Sequence, residues 1–284
     1  MRKSYPKEVF LNGQWLPHDQ ATVSVFDRGF MLGDGIYEVI PFYQNKLFTP
    51  DEHIQRLKAG LAEVGIAYDV DSLKTTASEA VVRAGCNEGA VYIQITRGAA
   101  PRTHYFPADV EPTVLLYAFH LSLGGFEQKL VDVILSEDFR WHRCNIKSIS
   151  LIANVLANNF AHQQGVLENV LIRNGLVTEG SCTSVFFVRN GIVYTHPEGP
   201  HILPGITRNL VILLCGEMGI EVEEKAISVN DLPFGDEAFL TGTTMQVTAI
   251  GSMRIGSEQL VVSTDVGQVT RRIQQAFIKR IEAL

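Results

Sequence analysis

Three Asn-Gly pairs constrain this chain more than any other feature: Asn12-Gly13, Asn174-Gly175 and Asn190-Gly191, each set between β-prone apolar runs. Both residue types tolerate the positive φ that the two central positions of a tight hairpin require, so each pair predicts a turn between antiparallel strands. One pair lies near the front and two in the second half, which puts antiparallel sheet in both. The second and third, in VLIRNGLVTEG and VFFVRNGIVYT, start 16 residues apart and predict three short strands in a meander. AVYIQITRG and TVLLYAF read as further strands.

Helices alternate with these strands. In TPDEHIQRLKAGLAEVGI, Thr49 is placed to cap, Pro50 suits the first helical position, Glu52 completes a capping box, and Ile54, Leu57, Leu61 and Val64 share one face. Further helices are expected over about 71–84, 151–164, 207–218 and 265–283, the last with Val266, Val269, Ile273, Phe277 and Ile281 on one side. HLSLGGFEQ carries a glycine pair after a strand and suggests an interdomain connection. The expectation is an α+β fold of two domains: a smaller one over 1–120, a linker at 121–128 and a larger one over 129–284.

The net charge of −7 and the lack of any Lys/Arg cluster argue against nucleic acid or an anionic membrane as partner. The opening MRKSYPKEVF has two basic residues but no apolar segment after them, and no run is long enough to span a bilayer, so neither export nor a membrane span is expected. Cys86, Cys144, Cys182 and Cys215 are widely spread, which suggests a reducing cytoplasm, no disulfide framework and no metal.

RCNIKSISLIAN sets Lys147 among isoleucines, where an ammonium is costly unless it reaches water, a partner or a chemical role. A solvated surface lysine is the ordinary alternative. A lysine desolvated by apolar neighbours becomes a nucleophilic amine able to form a Schiff base, as pyridoxal phosphate requires. That cofactor also needs an acid near its ring nitrogen and an anion site for its phosphate. Glu179 in LVTEGSCTSVFF is a candidate acid, or else a solvated turn glutamate. HILPGITRNLVILL places Pro204, Gly205, Ile206 and Thr207 before an apolar helix whose first amides suit an anion, or whose start Thr207 simply caps. TGTTMQ adds Thr243 and Thr244 hydroxyls and a glycine that allows close backbone approach.

Five separated segments, in order, resemble the class IV pyridoxal-phosphate aminotransferases: FDRGFMLGDGIYEV, RCNIKSISLIANVLANNFA, VTEGS, ILPGITR and TGTT. The resemblance runs from about Val9 to the last helix and implies the two-domain fold type IV architecture. Within that class the chain is most similar to D-amino acid aminotransferases, through EDFRWHRCNIKS with its Trp141 and through TRGAAPRTHYFP. There Arg102 and His104 match the pair that, with a tyrosine matching Tyr37, grips the substrate α-carboxylate; a guanidinium fork suits a carboxylate in any case. The resemblance further implies that Lys147 holds the cofactor as a Schiff base and moves the substrate proton, and that Glu179 keeps the ring nitrogen protonated. Arg56, the Ile206 and Thr207 amides and Thr243 would hold the phosphate, and Leu203 would pack on the ring. Family members are homodimers in which the Arg-x-His loop serves the neighbouring active site.

Two places depart from the D-amino acid pattern. Ser181-Cys182-Thr183-Ser184 replaces a run of serines ending in asparagine, and Gly242 stands where a serine precedes the phosphate threonine. ILPGITR and the Gly-Thr pair are closer to branched-chain enzymes, and Met245 and Gln246 fall where a pocket wall would vary. The expected activity is amino transfer between a D-amino acid such as D-alanine or D-glutamate and a 2-oxo acid such as pyruvate or 2-oxoglutarate. The alternatives on the same fold are an (R)-selective amine transaminase, a branched-chain L-amino acid aminotransferase and 4-amino-4-deoxychorismate lyase. A different class of alternative is a non-catalytic small-ligand binder.

Overall fold

A computed structural model describes residues 5–284; the basic Arg2 and Lys3 of the opening segment lie outside them. The chain divides into two compact units, one reaching to Ser122 and including Ile146–Leu151 and Leu284, the other comprising Leu123–Asn145 and Ile152–Ala283. The segment that carries Lys147 thus belongs to the first unit, whereas the sequence reading put it in the second.

The first unit contains β1 (Glu8–Leu11), β2 (Gln14–Pro17), α1 (Arg28–Leu32), β3 (Gly35–Tyr43), β4 (Lys46–Leu47), α2 (Pro50–Glu63), α3 (Leu73–Ala84), β5 (Glu88–Thr96) and β6 (Thr113–His120). Its strands form one antiparallel sheet in the order β2-β1-β6-β5-β3-β4. The Asn12-Gly13 turn joins β1 to β2 with φ of 48° and 90°, as a hairpin of this type demands. Alternation along β3 and β5 decides which side is buried: Ile36, Ile40, Phe42, Val91, Ile93 and Ile95 join Leu57 and Leu61 of α2 and Ala77 and Val81 of α3 in one core. Tyr37, Tyr92 and Gln94 point to the other face, with Tyr37 opposite Gln94 in the register.

Pro50 opens α2 as expected, but Thr49 does not cap it through its side chain. Proline disfavours the right-handed helical region for the residue before it, and Thr49 sits at φ 50° with no hydroxyl bond to the helix amides. α3 begins two residues later than the periodicity suggests, at Leu73.

The second unit contains β7 (Leu130–Glu137), α4 (Ile152–Gln163), β8 (Glu168–Arg173), β9 (Leu176–Gly180), β10 (Ser184–Arg189), β11 (Ile192–Thr195), α5 (Ile206–Glu217), β12 (Val222–Glu224), β13 (Glu237–Gly242), β14 (Gln246–Ile255), β15 (Glu258–Val261) and α6 (Gln268–Glu282). The sheet runs β12-β11-β10-β13-β14-β7-β8-β9, with β15 also on β14. It is mixed: β11 with β12, β14 with β7 and β7 with β8 are parallel. The two later Asn-Gly turns close the β8–β9 and β10–β11 hairpins, but they do not join into a meander. β13 takes the edge of β10 that β11 leaves, so β9 has no ladder place there.

α6 starts at Gln268, later than its apolar pattern, because Glu237 of β13 supplies the cap. Its carboxylate accepts from Val269 N at 3.0 Å, Thr270 N at 2.8 Å and the Thr270 hydroxyl at 2.7 Å, while Gly267 at the cap position has no side chain to do so. Glu237→Ala should therefore destabilise the protein by about 2 kcal/mol, the upper range for a lost cap. A melting temperature unchanged to within a degree would contradict this.

Candidate functional site

Lys147 lies in a short extended segment laid against the start of β3. Its carbonyl accepts from Tyr37 N at 3.0 Å, Ile149 N donates to the Gly35 carbonyl at 3.1 Å, and Ser148 bridges to Ile36. This close approach explains Gly33 in FDRGFMLGDG: a Cβ there, at φ +67°, would come within 2.5 Å of the Ser150 hydroxyl. The lysine side chain is half-buried, and its Nζ lies 4.4 Å from the centroid of the Tyr37 ring.

Behind Tyr37, on the core face of the same strand, Glu38 is fully buried and tied to α2. It accepts from Arg56 Nε at 2.7 Å and Nη2 at 2.9 Å and pairs with His53 Nδ1 at 2.8 Å. Burial alone would raise the Glu38 carboxyl, but the Arg56 charge and the hydrogen bonds from His53 and Arg56 hold it far below the carboxylate range. Burial depresses His53 despite Glu38's pull, and the charges of Arg56 and Lys147 add to the depression. His53 is thus a neutral imidazole donating from Nδ1 to an ionised Glu38, and Arg56 is held as a fork with a fixed orientation.

In the second unit Glu179 sits near the end of β9, nearly buried. Its Oε1 accepts from Arg140 Nη1 at 2.6 Å and its Oε2 from Leu203 N at 3.1 Å. Burial pushes its carboxyl up to about 7, against the Arg140 charge and the two hydrogen bonds. Arg140 is fixed in turn by Asp138, through Nε at 2.9 Å and Nη2 at 3.0 Å, and Asp138 also meets Arg173. The turn after Glu179 is pinned by buried Glu168, which accepts from the Asn169, Ser181 and Cys182 amides and from the Ser181 and Thr183 hydroxyls. The departures from the serine run therefore support this turn from within.

Leu203 leads into α5, whose cap is Gly205 rather than Thr207, with no side chain bonded to the first amides. Those of Ile206 and Thr207 thus stand at the positive end of a helix without a side-chain cap, a setting that suits an anion. Thr243 lies in the turn between β13 and β14, where Met245 N donates to the Gly242 carbonyl at 3.1 Å. Two residues earlier, the Thr241 hydroxyl is buried and has no hydrogen-bond partner among the described residues. Arg102 and His104 are exposed, on the loop between β5 and β6, and Trp141 is also exposed.

The structure thus joins Lys147 to Tyr37 and Arg56 to Glu38 in one unit, and Glu179 to Leu203 beside the α5 start in the other. Sequence reasoning missed Glu38, His53, Arg140, Asp138 and Glu168. Glu38 had a usable signal, a charge at an inward position of an alternating strand. Asp138 and Arg140 pair two residues apart, which in sequence reads as a local ion pair, and the further partners that mark them, Arg173 and Glu179, lie far along the chain.

A phosphorylated pyridine aldehyde calls for an amine and an anion-holding guanidinium, which the first unit offers in Lys147 and Arg56, and for a ring acid and free helix amides, which the second offers in Glu179 and the start of α5. Among the described residues no group of three or more His, Cys, Asp or Glu could hold a metal ion, and no helix is long and apolar enough to cross a membrane.

A D-alanine aminotransferase of Bacillus licheniformis is 40% identical over 273 residues, 95% of each chain, and one of Staphylococcus aureus (strain COL) is 37% identical over 98% of this chain and 99% of its own. Among solved structures, a branched-chain amino acid aminotransferase of Escherichia coli superposes with a TM-score of 0.89 at 26% identity, covering 97% of this chain and 94% of that one. That of Thermoproteus uzoniensis, solved with norvaline, gives 0.85 at 26% identity over 96% and 93%. The profile of the amino-transferase class IV family matches residues 35–253, and with it the α+β fold read from the sequence finds its place: this chain is a class IV aminotransferase.

Proposed function

We propose that the chain is a pyridoxal 5'-phosphate-dependent D-amino acid transaminase. It moves the amino group between a donor of the D-alanine or D-glutamate type and a 2-oxo acid such as pyruvate or 2-oxoglutarate. The observation that carries the donor's handedness is the 40% identity, over 95% of both chains, to a D-alanine aminotransferase, against 26% to the branched-chain enzymes. The high TM-scores to the latter speak for fold, which different reactions share.

When bound, the cofactor supplies an electron sink for the bonds around the donor's Cα. Lys147 would hold it covalently and, once released, carry the proton from one face of the donor Cα. The Tyr37 ring beneath Nζ fixes where that amine points. Glu179 would keep the ring nitrogen protonated and Leu203 would pack on the ring. Arg56, oriented by Glu38, would hold the phosphate with the Ile206 and Thr207 amides and Thr243. Arg102, His104 and Tyr37 would take the substrate carboxylate.

Apolar side chains left exposed on each unit support a homodimer: Phe26 and Phe30 on the first, and Ile152, Val155 and Leu156 along α4 on the second. In that dimer the Arg102–His104 loop would serve the partner's site. The negative charge and spread cysteines fit a cytoplasmic enzyme acting on small molecules.

The test mixes the cofactor-loaded protein, without acceptor, with D-alanine, L-leucine and (R)-1-phenylethylamine in turn, and follows the absorbance of the lysine-bound cofactor. Rapid loss with D-alanine, slow loss with the amine and none with L-leucine are expected. Loss only with L-leucine or the amine would overturn the substrate assignment, and absence of the starting absorbance would overturn the cofactor.

A further inference from the structure

The loop that presents Arg102 and His104 is exposed, yet it is held by a buried ionic cluster. Asp34 accepts from Arg28 Nε at 2.7 Å, from Arg97 Nε at 2.8 Å and from Arg97 Nη2 at 3.0 Å. Both arginines are almost wholly buried. Burial works to raise the Asp34 carboxyl, but hydrogen bonds and charges from Arg97 and Arg28 outweigh it and hold it below the carboxylate range.

Each arginine reaches from Asp34 to a different point on the loop. Arg28 Nη1 donates to the Thr103 carbonyl at 2.8 Å, the peptide between Arg102 and His104. The Arg97 guanidinium lies 3.7 Å from the centroid of the Phe106 ring, on the far side of His104. Arg97 is itself anchored to the end of α2, donating to the Gly65 carbonyl at 2.9 Å and the Val64 carbonyl at 2.7 Å. The loop closes at its base, where Gly98 at φ +97° would put a Cβ 2.0 Å from the Glu111 carbonyl oxygen. Phe106 is exposed, so its contact with Arg97 secures the loop without filling a core.

We propose that Asp34, acting through Arg28 and Arg97, positions the Arg102–His104 pair and so sets how strongly the enzyme selects donors that carry an α-carboxylate. A guanidinium and an imidazole on a loop recognise a planar carboxylate only if their approach is fixed beforehand, because ordering the loop at each binding event weakens affinity. The two tethers bracket His104 and leave the Arg102 and His104 side chains facing outward. Asp34, Arg28, Arg97 and Phe106 are positioning residues, and the inference rests on the reading of Arg102 and His104 as the carboxylate clamp.

The experiment compares the holoenzyme with Phe106→Ala, Phe106→Tyr, Arg28→Gln and Arg102→Ala, measuring KM and kcat separately for D-alanine and for (R)-1-phenylethylamine, which lacks the carboxylate. Phe106→Ala and Arg28→Gln should raise KM for D-alanine about tenfold, with kcat within about twofold and the amine constants unmoved, since binding to the carboxylate is lost in ground and transition states alike. Phe106→Tyr, which keeps a ring over Arg97, should restore the wild-type KM. Arg28→Gln disturbs a buried pair and can fail to fold; Phe106→Ala removes an exposed ring and keeps the comparison open. Should Arg102→Ala raise KM for D-alanine while the tether variants leave it alone, the clamp stands and the positioning role falls. Equal losses with both donors would mark the tethers as merely structural and also overturn it. An unchanged KM in Arg102→Ala would remove the clamp itself, and the positioning role with it.

Discussion

Lys147→Ala is expected to lower turnover by roughly 10⁴–10⁶-fold, the scale seen when a group at the reacting bond is deleted, while leaving the protein folded. The fold should survive because little of the lysine's side chain is committed to packing. The 146–151 segment is fixed by backbone bonds, Tyr37 N to the Lys147 carbonyl and Ile149 N to the Gly35 carbonyl, and by buried Ile146; alanine keeps all three. What alanine removes is an amine above the Tyr37 ring, which under the proposed function would be both the covalent hold on the cofactor and the base for the donor's Cα proton. The absorbance of the lysine-bound cofactor should vanish, and a small amine such as methylamine should restore a fraction of the turnover, because the site loses a functional group and not its shape. Full turnover in the variant would end the assignment.

The parts of this protein that the sequence made legible are those with local causes. Asn-Gly turns announced their hairpins because backbone φ at two adjacent residues decides them, and Pro50 and the 3.6-residue apolar spacing announced α2 in the same way. The meander between β9 and β10 was misjudged because two hairpins in succession do not state which partner claims a shared edge; β13, about 50 residues downstream, settles it. The start of α6 was misjudged for a similar reason, since its cap is the carboxylate of a distant strand. Among the candidate site residues, Lys147, Glu179 and the α5 start stood out in the sequence by chemistry and neighbours. Asp138 and Arg28 look in the sequence like ordinary surface charges. Only folding shows that each is buried beside an opposite charge.

Glu179→Gln should cost on the order of a thousandfold in turnover, about 4 kcal/mol of transition-state stabilisation, because in the role proposed for it a neutral amide could not keep the cofactor's ring nitrogen protonated. The variant should still fold, since Asp138 keeps Arg140 paired through two hydrogen bonds. Its second signature lies in the cofactor-free protein. Burial raises the Glu179 carboxyl from the 4.5 of an unfolded chain to about 7, so between those values the folded state binds a proton that the unfolded state has released. Stability from this group is fully present below pH 4.5 and is lost as the pH rises through 7, by about 3 kcal/mol in all. Above pH 7 the folded protein carries a buried carboxylate that Arg140 and the Leu203 amide only partly compensate, and under the proposed function the cofactor's ring nitrogen would supply the missing partner. Glutamine has no proton to exchange, so the stability of cofactor-free Glu179→Gln, measured by urea unfolding, should vary less with pH between 4.5 and 7 than that of the wild type. If the two profiles ran parallel, Glu179 would not be the group poised near neutrality, and its assignment as the ring acid would lose its physical basis.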